Sequence, residues 1–277
     1  ADAGTMQTSL SIFIGGLAVG QIFYGPLTDR FGRRAPLIAG ILLFVSASAL
    51  AALAQDITTF MIARALQGLG GAAGLVIPRA IIADLYERRD GAKAFSLLMQ
   101  VMMVAPVAAP PIGGLLLAAF GWRSIFWVLA IIGLLAAVAT LRIVPESLAP
   151  DARRKSSALS AIVTYAGLFR QPRFSAYALS GSFTMAGLFV YIGASAFIFV
   201  DYYGLSPTIY SLIFAGIALG EILVGYVNIR LLNRWRESEI LPVGLLLHGL
   251  CATLLVGALL AGFTGLHIVG PLLFLAL

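Results

Sequence analysis

The sequence predicts an all-α membrane protein of about eight complete transmembrane helices plus the start of another. Three observations carry this reading. Of 277 residues, 60% are hydrophobic and only 11% are charged, whereas a soluble domain carries roughly 25% charged residues. The apolar residues come in blocks long enough to cross about 30 Å of hydrocarbon. The basic residues fall in alternate connections between those blocks.

Spans are expected at 5–25, 36–54, 58–84, 94–118, 124–144, 174–200, 208–231 and 240–263, with a further one beginning near Leu266. Lipid offers no partner to a backbone N–H or C=O, so only helices or closed barrels cross it. These runs are too long and too uniformly apolar for barrel strands, which need only about 9–11 residues. The first span ends at a charged, glycine-containing turn, and the second is apolar throughout. The third carries Arg64, the fourth carries Pro106, Pro110 and Pro111, and the fifth runs out at Arg142. The stretch 145–173 is polar, basic and bounded by prolines. It reads as a linker between a helical bundle at 1–144 and a second at 174–277. The chain begins at Ala1 rather than Met and ends in an apolar run at Leu277, and it reads as a piece of a longer protein.

The formal net charge is +6. Fifteen of the 18 Lys and Arg residues lie in one set of connections, around Arg30, Lys93, Arg153 and Arg234, while the intervening connections hold only Arg123. By the positive-inside rule the basic set is cytoplasmic, and residue 1 lies outside. The charge is therefore a topology signal. No basic face with interleaved aromatics supports a nucleic-acid partner. Cys251 is the sole cysteine and excludes a disulfide framework. His248 and Cys251, three apart, are too few to bind zinc. No Gly-x-Ser-x-Gly nucleophile motif points to an enzyme.

The turn after the first span reads Gly25-Pro26-Leu27-Thr28-Asp29-Arg30-Phe31-Gly32-Arg33-Arg34. Gly25 allows close backbone approach, Gly32 suits a tight turn, and Asp29 can accept from an arginine or a helix N-terminus. By charge alone it is also an ordinary positive-inside anchor. The order of residues resembles the signature turn of the major facilitator superfamily. Gly25, Leu27, Asp29, Arg30, Gly32, Arg33 and Arg34 fall on the pattern, and Thr28 stands where alanine is usual. The resemblance implies a major facilitator-type helical bundle of which this chain covers about helices two to ten of twelve. It also implies that the turn latches the cytoplasmic side in the outward-open state, with Asp29 and Arg33 clustering with an acid at the end of the next-but-one helix. Asp84 sits there, and a solvated helix-end charge is its plainer role.

In the third span, Arg64, Gln67, Gly68 and Gly71 share one helical face by their spacing. An arginine at the centre of a membrane helix costs at least about 2.5–3.5 kcal/mol, so it must face protein or water. Arg64 either senses a nearby carboxylate or positions substrate, or it snorkels to the outer surface. The string Arg64-x-x-Gln67-Gly68-x-Gly70 resembles a superfamily motif whose arginine is associated with proton transfer. Gly68-x-Gly70-x-x-Ala73 also fits a dinucleotide fingerprint, but that motif needs a strand before it and does not belong inside a membrane helix.

The fourth span has Ala109-Pro110-Pro111-Ile112-Gly113-Gly114, a sequence that favours bending. It resembles the antiporter motif Gly-Pro-x-x-Gly-Gly at Pro110, Gly113 and Gly114, with Ala109 in place of the first glycine. This resemblance implies drug–proton exchange, and the chain is similar to the bicyclomycin and chloramphenicol resistance branch. The implied activity is proton-coupled efflux of drugs or small amphipathic molecules across the bacterial inner membrane, by a monomer in contact with lipid and needing no cofactor beyond the proton gradient. Proton-coupled metabolite uptake and an inactive fragment remain open as alternatives. In the second half, Glu221 is the one acid well inside a span, following Gly216 and Gly220, and is a candidate for a cationic drug or a proton. Phe183, Phe189, Tyr191, Phe197 and Phe214 are candidates for lining an apolar pocket, and each alone also suits plain packing.

Overall fold

The computed structural model describes residues 3–153, 158–231 and 234–270. Among the described residues nine α-helices dominate: α1 (Ala3–Phe31), α2 (Arg34–Leu53), α3 (Ile57–Leu85), α4 (Arg88–Phe120), α5 (Trp122–Ile143), α6 (Ala158–Phe169), α7 (Pro172–Ala196), α8 (Pro207–Leu231) and α9 (Glu237–Leu260). A π-helical stretch, Phe197–Tyr202, extends α7. There is no strand among the described residues. The backbone is helical again at 266–270, where the sequence reading starts another span, and the rest of that span lies outside the described residues.

Among the described residues seven helices are long and apolar enough to cross a membrane. α4 stays helical from Arg88 to Phe120, across the expected span 94–118 and the prolines at 106, 110 and 111. α1 also outlasts its expected end at 25, continuing across Pro26 to Phe31. Only Gly32 stops it, with φ +87° in the left-handed region that glycine adopts without penalty. Gly121, φ +77°, does the same between α4 and α5. The stretch 145–173 is not merely extended linker, because α6 lies within it. Polar and basic neighbours masked a short helix whose Ala158–Phe169 core is apolar.

The chain divides into two compact units. One comprises 1–104 and 112–176, the other 105–111 and 177–277. In the first unit the centre is a close-packed set of α1, α2, α3 and α5. A Cβ on Gly16 would strike the Ala65 carbonyl, one on Gly20 the Leu69 backbone and Ala72, and one on Gly68 the Phe13 carbonyl. Missing side chains therefore bring α1 and α3 into backbone contact, as small residues do in membrane bundles. Gly70 packs on the α2 backbone at Phe44, and Gly133 of α5 on Phe44 and Val45. Leu37, Ala73 and Ile77 are buried at the α2–α3 contact, with Tyr24 of α1 against them.

In the second unit Tyr191, Phe199 and Ile217 are buried together. The Tyr191 ring stacks on Phe214, with centroids 5.7 Å apart. Ser195 and Tyr210 share a hydrogen bond of 3.0 Å. Large apolar side chains such as Leu115, Phe183 and Leu246 stay exposed around both units, as lipid-facing positions of a membrane protein do.

Candidate functional site

At the α1–α2 turn the first unit assembles a charge cluster. Gly32 reverses the chain, so Arg33 points back along α1 while its main chain opens α2. Arg33 Nη1 donates to Asp29 Oδ1 at 2.7 Å and to Thr28 Oγ1 at 2.8 Å, and its Nε donates to Asp84 Oδ2 at 2.9 Å. The Arg33 side chain is 11% exposed, against 20% for Asp84 and 42% for Asp29. Burial alone would pull the Arg33 pKa down. The hydrogen bonds and charges of Asp84 and Asp29 outweigh it, and the net shift is upward. The cluster holds a fixed cation between two helix ends.

Two members escaped the sequence reading. Thr28, where the family pattern has alanine, is buried and donates to the Gly25 carbonyl at 2.9 Å while accepting from Arg33. Glu146, just past α5, accepts from the main-chain N–H groups of Arg33 at 2.7 Å and Arg34 at 3.3 Å. Those are among the donors a helix start leaves unsatisfied. Burial pushes the Glu146 carboxyl up, but the N–H groups of Arg33, Leu148 and Arg34 and the charge of Arg153 hold it below its usual value. Arg34 reciprocates by donating from Nη2 to the Leu141 carbonyl in the last turn of α5. Each of the two helix ends thus caps the other. Ser147 adds a hydrogen bond to Asp84 at 3.0 Å. Nothing in the local sequence signals these partners, which lie more than 60 residues from the residues they cap or bond.

The remaining turn residues stand apart. Arg30 lies over the Phe31 ring, 5.1 Å from its centroid, outside the cluster. At Gly25 an added Cβ would meet only the Tyr165 hydroxyl of α6 at 3.6 Å, so no backbone approaches closely there.

The second assembly surrounds Arg64. Asp56 starts α3 by accepting from the Thr59 N–H at 2.8 Å and the Thr59 hydroxyl at 2.7 Å. Those bonds hold the Asp56 carboxyl below its usual value. Two turns on, Arg64 is half-buried, with its guanidinium 4.5 Å from the Phe13 ring centroid of α1 and 5.7 Å from that of Phe126 on α5. Its Nη1 donates to Gln67 Oε1, one turn further into the helix. It therefore does not reach back toward the start of α3, as a snorkelling side chain would. Gln67 is fully buried and donates from Nε2 to Ser48 Oγ on α2 at 2.8 Å. Arg64 Nε has no hydrogen-bond partner, and no acid pairs with Arg64 among the described residues. Gly68, on the same face, is the contact with α1, whereas Gly71 meets only Leu17 and Phe44 side chains at 3.6 Å.

Other candidates are not drawn into either assembly. A Cβ at Gly113 or Gly114 would meet nothing within 4 Å, and the side chain of Pro110 lies outside what the structure describes. In the second unit Glu221 is half-buried on α8, on the face that carries Tyr210, Phe214 and Ile217. Gly216 makes no close approach there. Of the aromatic candidates, Tyr191 and Phe214 pack inward, while Phe183, Phe189 and Phe197 are exposed.

A set of apolar membrane-length helices with a charge-clustered turn and a half-buried arginine marks an integral membrane protein. Residues 1–277 match the Major Facilitator Superfamily, and the chain belongs to that family. It is 36% identical over 272 residues to the uncharacterized MFS-type transporter YdgK of Bacillus subtilis, covering 92% of this chain and 68% of that one. It is 28% identical to the bicyclomycin resistance protein homolog of Haemophilus influenzae, over 91% of this chain and 63% of the relative. It is 32% identical to multidrug resistance protein D of Escherichia coli, over 76% and 52%. The chain thus spans about half to two thirds of the length of these relatives. Among solved structures, the partially occluded inward-open xylose transporter XylE of E. coli superposes with a TM-score of 0.68 at 18% identity, over 97% of this chain and 70% of that one. A D-xylose-proton symporter gives 0.66 at 20% identity, over 99% and 68%. At these identities the likeness concerns the fold.

Proposed function

We propose that the protein exports drugs or small amphipathic molecules from the bacterial cytoplasm in exchange for protons, by alternating access across the inner membrane. The observation that carries this reading is Arg64, a guanidinium held among apolar helices by ring faces and an amide, with no carboxylate against it among the described residues. Such a cation is costly in a membrane and therefore points to a function. It is placed to stabilise the ionised form of an acid that gains and loses a proton during the cycle. The names of the Haemophilus and E. coli relatives, which refer to bicyclomycin and multidrug resistance, favour export of drugs over uptake.

In this reading Arg64 and Gln67 act in proton coupling, with Glu221 as a second acidic site in the C-terminal bundle. The Gly25–Arg34 turn with Asp84 is the conformational latch on the cytoplasmic side, and Pro110, Gly113 and Gly114 shape the exchange helix. Residues 1–144 and 174–277 are the two bundles, joined by a cytoplasmic connection at 145–173. Proton symport of a metabolite is the competing reading, for which the xylose-transporting neighbours share the fold.

Drug susceptibility of a pump-deficient bacterium expressing the full-length protein tests the proposal. Wild type is expected to raise tolerance to at least one of bicyclomycin, chloramphenicol and ethidium, and Arg64→Ala to abolish the gain at equal membrane abundance. Unchanged tolerance with wild type, or a gain that survives Arg64→Ala, would overturn it.

A further inference from the structure

We infer that Ser48 of α2 is a positioning residue for Arg64: through Gln67 it fixes the direction in which the guanidinium offers its free N–H groups. This rests on the coupling role proposed for Arg64. The inference follows from counting protons along a three-residue chain. A serine hydroxyl has one proton. In Ser48 that proton is committed to the Phe44 carbonyl, 2.7 Å away. The Ser48 oxygen can therefore only accept from Gln67, whose Nε2 lies at 2.8 Å. A carboxamide has a donor on one side and an acceptor on the other. Anchoring the nitrogen at Ser48 turns Oε1 toward Arg64 Nη1. The reversed amide would set its N–H groups against those of Arg64 and its oxygen against the Ser48 oxygen, whose proton is already given to Phe44.

Burial makes the chain directional. Ser48 and Gln67 are both 0% exposed, so water cannot replace a lost partner. The two ring faces of Phe13 and Phe126 attract the cation but do not fix its rotation. The amide oxygen does, and it leaves Nε without a partner. α1 brings Phe13 to the guanidinium, α5 brings Phe126, and α2 reaches it only through Ser48. Among the described residues none of these elements sets a titratable or charged group against Arg64. The Arg64 guanidinium is thus oriented by the amide rather than by a neighbouring charge.

The test uses everted membrane vesicles containing the full-length protein, and the pH dependence of export of whichever of ethidium, chloramphenicol or bicyclomycin the wild type moves. Removing a cation raises the pKa of the acid it serves, by about 1–3 units for a close partner. Arg64→Ala is expected to move the pH midpoint upward by that order. Ser48→Ala, with Arg64 present but unaimed, is expected to move it the same way by a smaller amount. Gln67→Leu should match Ser48→Ala, and the double variant should go no further, because both break one chain. Ser48→Thr, which keeps the hydroxyl, should stay at the wild-type midpoint. If Ser48→Ala is not recovered in the membrane, Gln67→Leu carries the same test. A changed rate with an unchanged midpoint in Ser48→Ala, or Ser48→Thr behaving as the alanine variant, would overturn the positioning role while leaving Arg64 intact. A wild-type midpoint in Arg64→Ala would instead overturn the coupling reading, and this inference with it, as would a wild type that moves none of the three drugs.

Discussion

Arg33, at the turn between α1 and α2, and Asp84, at the end of α3, are 51 residues apart in sequence and 2.9 Å apart in space. The pair ties two helix ends on one side of the bundle, and Asp29 shares the same guanidinium from the other side. Exposure ranks the two acids. Asp84, at 20% side-chain exposure, is better shielded from water than Asp29 at 42%. Exposed ion pairs contribute about 0–1 kcal/mol, and shielding raises this. Asp84→Asn is therefore expected to destabilise the full-length protein more than Asp29→Asn does. A thermal-unfolding comparison in detergent that returned the opposite order would contradict the geometry.

Function should follow a different pattern. If the turn is the proposed latch, Asp29→Asn is expected to slow drug export while leaving drug binding close to wild type, because a latch acts on the conformational step. Equilibrium binding measured beside transport decides this. An equal loss in both would remove the latch role.

Thr28 supplies a hydrogen bond to Arg33 that the alanine usual in the family pattern lacks. Hydrogen bonds to charged groups contribute about 1.5–3 kcal/mol. Thr28→Ala should lower stability by about that amount or less, and Thr28→Ser should retain most of it. If alanine and threonine proved equally stable, the Arg33–Thr28 contact would contribute nothing.

Glu146 gives a pH signature. Its carboxyl is held below its unfolded value, so its contribution is fully present above the ordinary glutamate range and is lost as pH falls through the lowered value. Glu146→Gln should thus cost stability near neutrality and flatten the acid limb of the stability profile. Parallel acid limbs for the two proteins would show that the helix cap is not coupled to ionisation.

Packing between α1 and α3 is tested by a pair of alanines. Gly68→Ala places a methyl on the Phe13 carbonyl, whereas Gly74→Ala enters open space. Overpacking costs about 1–3 kcal/mol, so Gly68→Ala is expected to reduce the folded yield and Gly74→Ala to leave it unchanged. Equal yields would mean that the helices do not approach as closely as described.

Much of this was readable from the chain because membrane helices announce themselves by length and charge spacing. The expected spans at 58–84 and 124–144 differ from α3 and α5 by only one or two residues at each end. α6 was hidden because its twelve residues fall below the length that distinguishes a span, and because basic residues flank it. The turn residues and Arg64 stood out as charges where charges are expensive. Thr28, Ser48 and Glu146 did not. A threonine or serine in an apolar helix is common, and an acid after a helix end looks solvated. What makes each of them matter is a partner brought near by folding, at Arg33, Gln67 and the start of α2. Arg30 illustrates the converse, a motif residue that turns away to lie over its neighbour's ring.

Position 32 illustrates how two unrelated demands can converge on one atom's absence. The backbone there is left-handed, and a Cβ would collide with the Glu146 carboxylate. Shortening Glu146 would open the space yet leave a dihedral that side-chain-bearing residues rarely adopt. Even where the Glu146 side chain swings aside, the left-handed dihedral alone continues to favour glycine at this position.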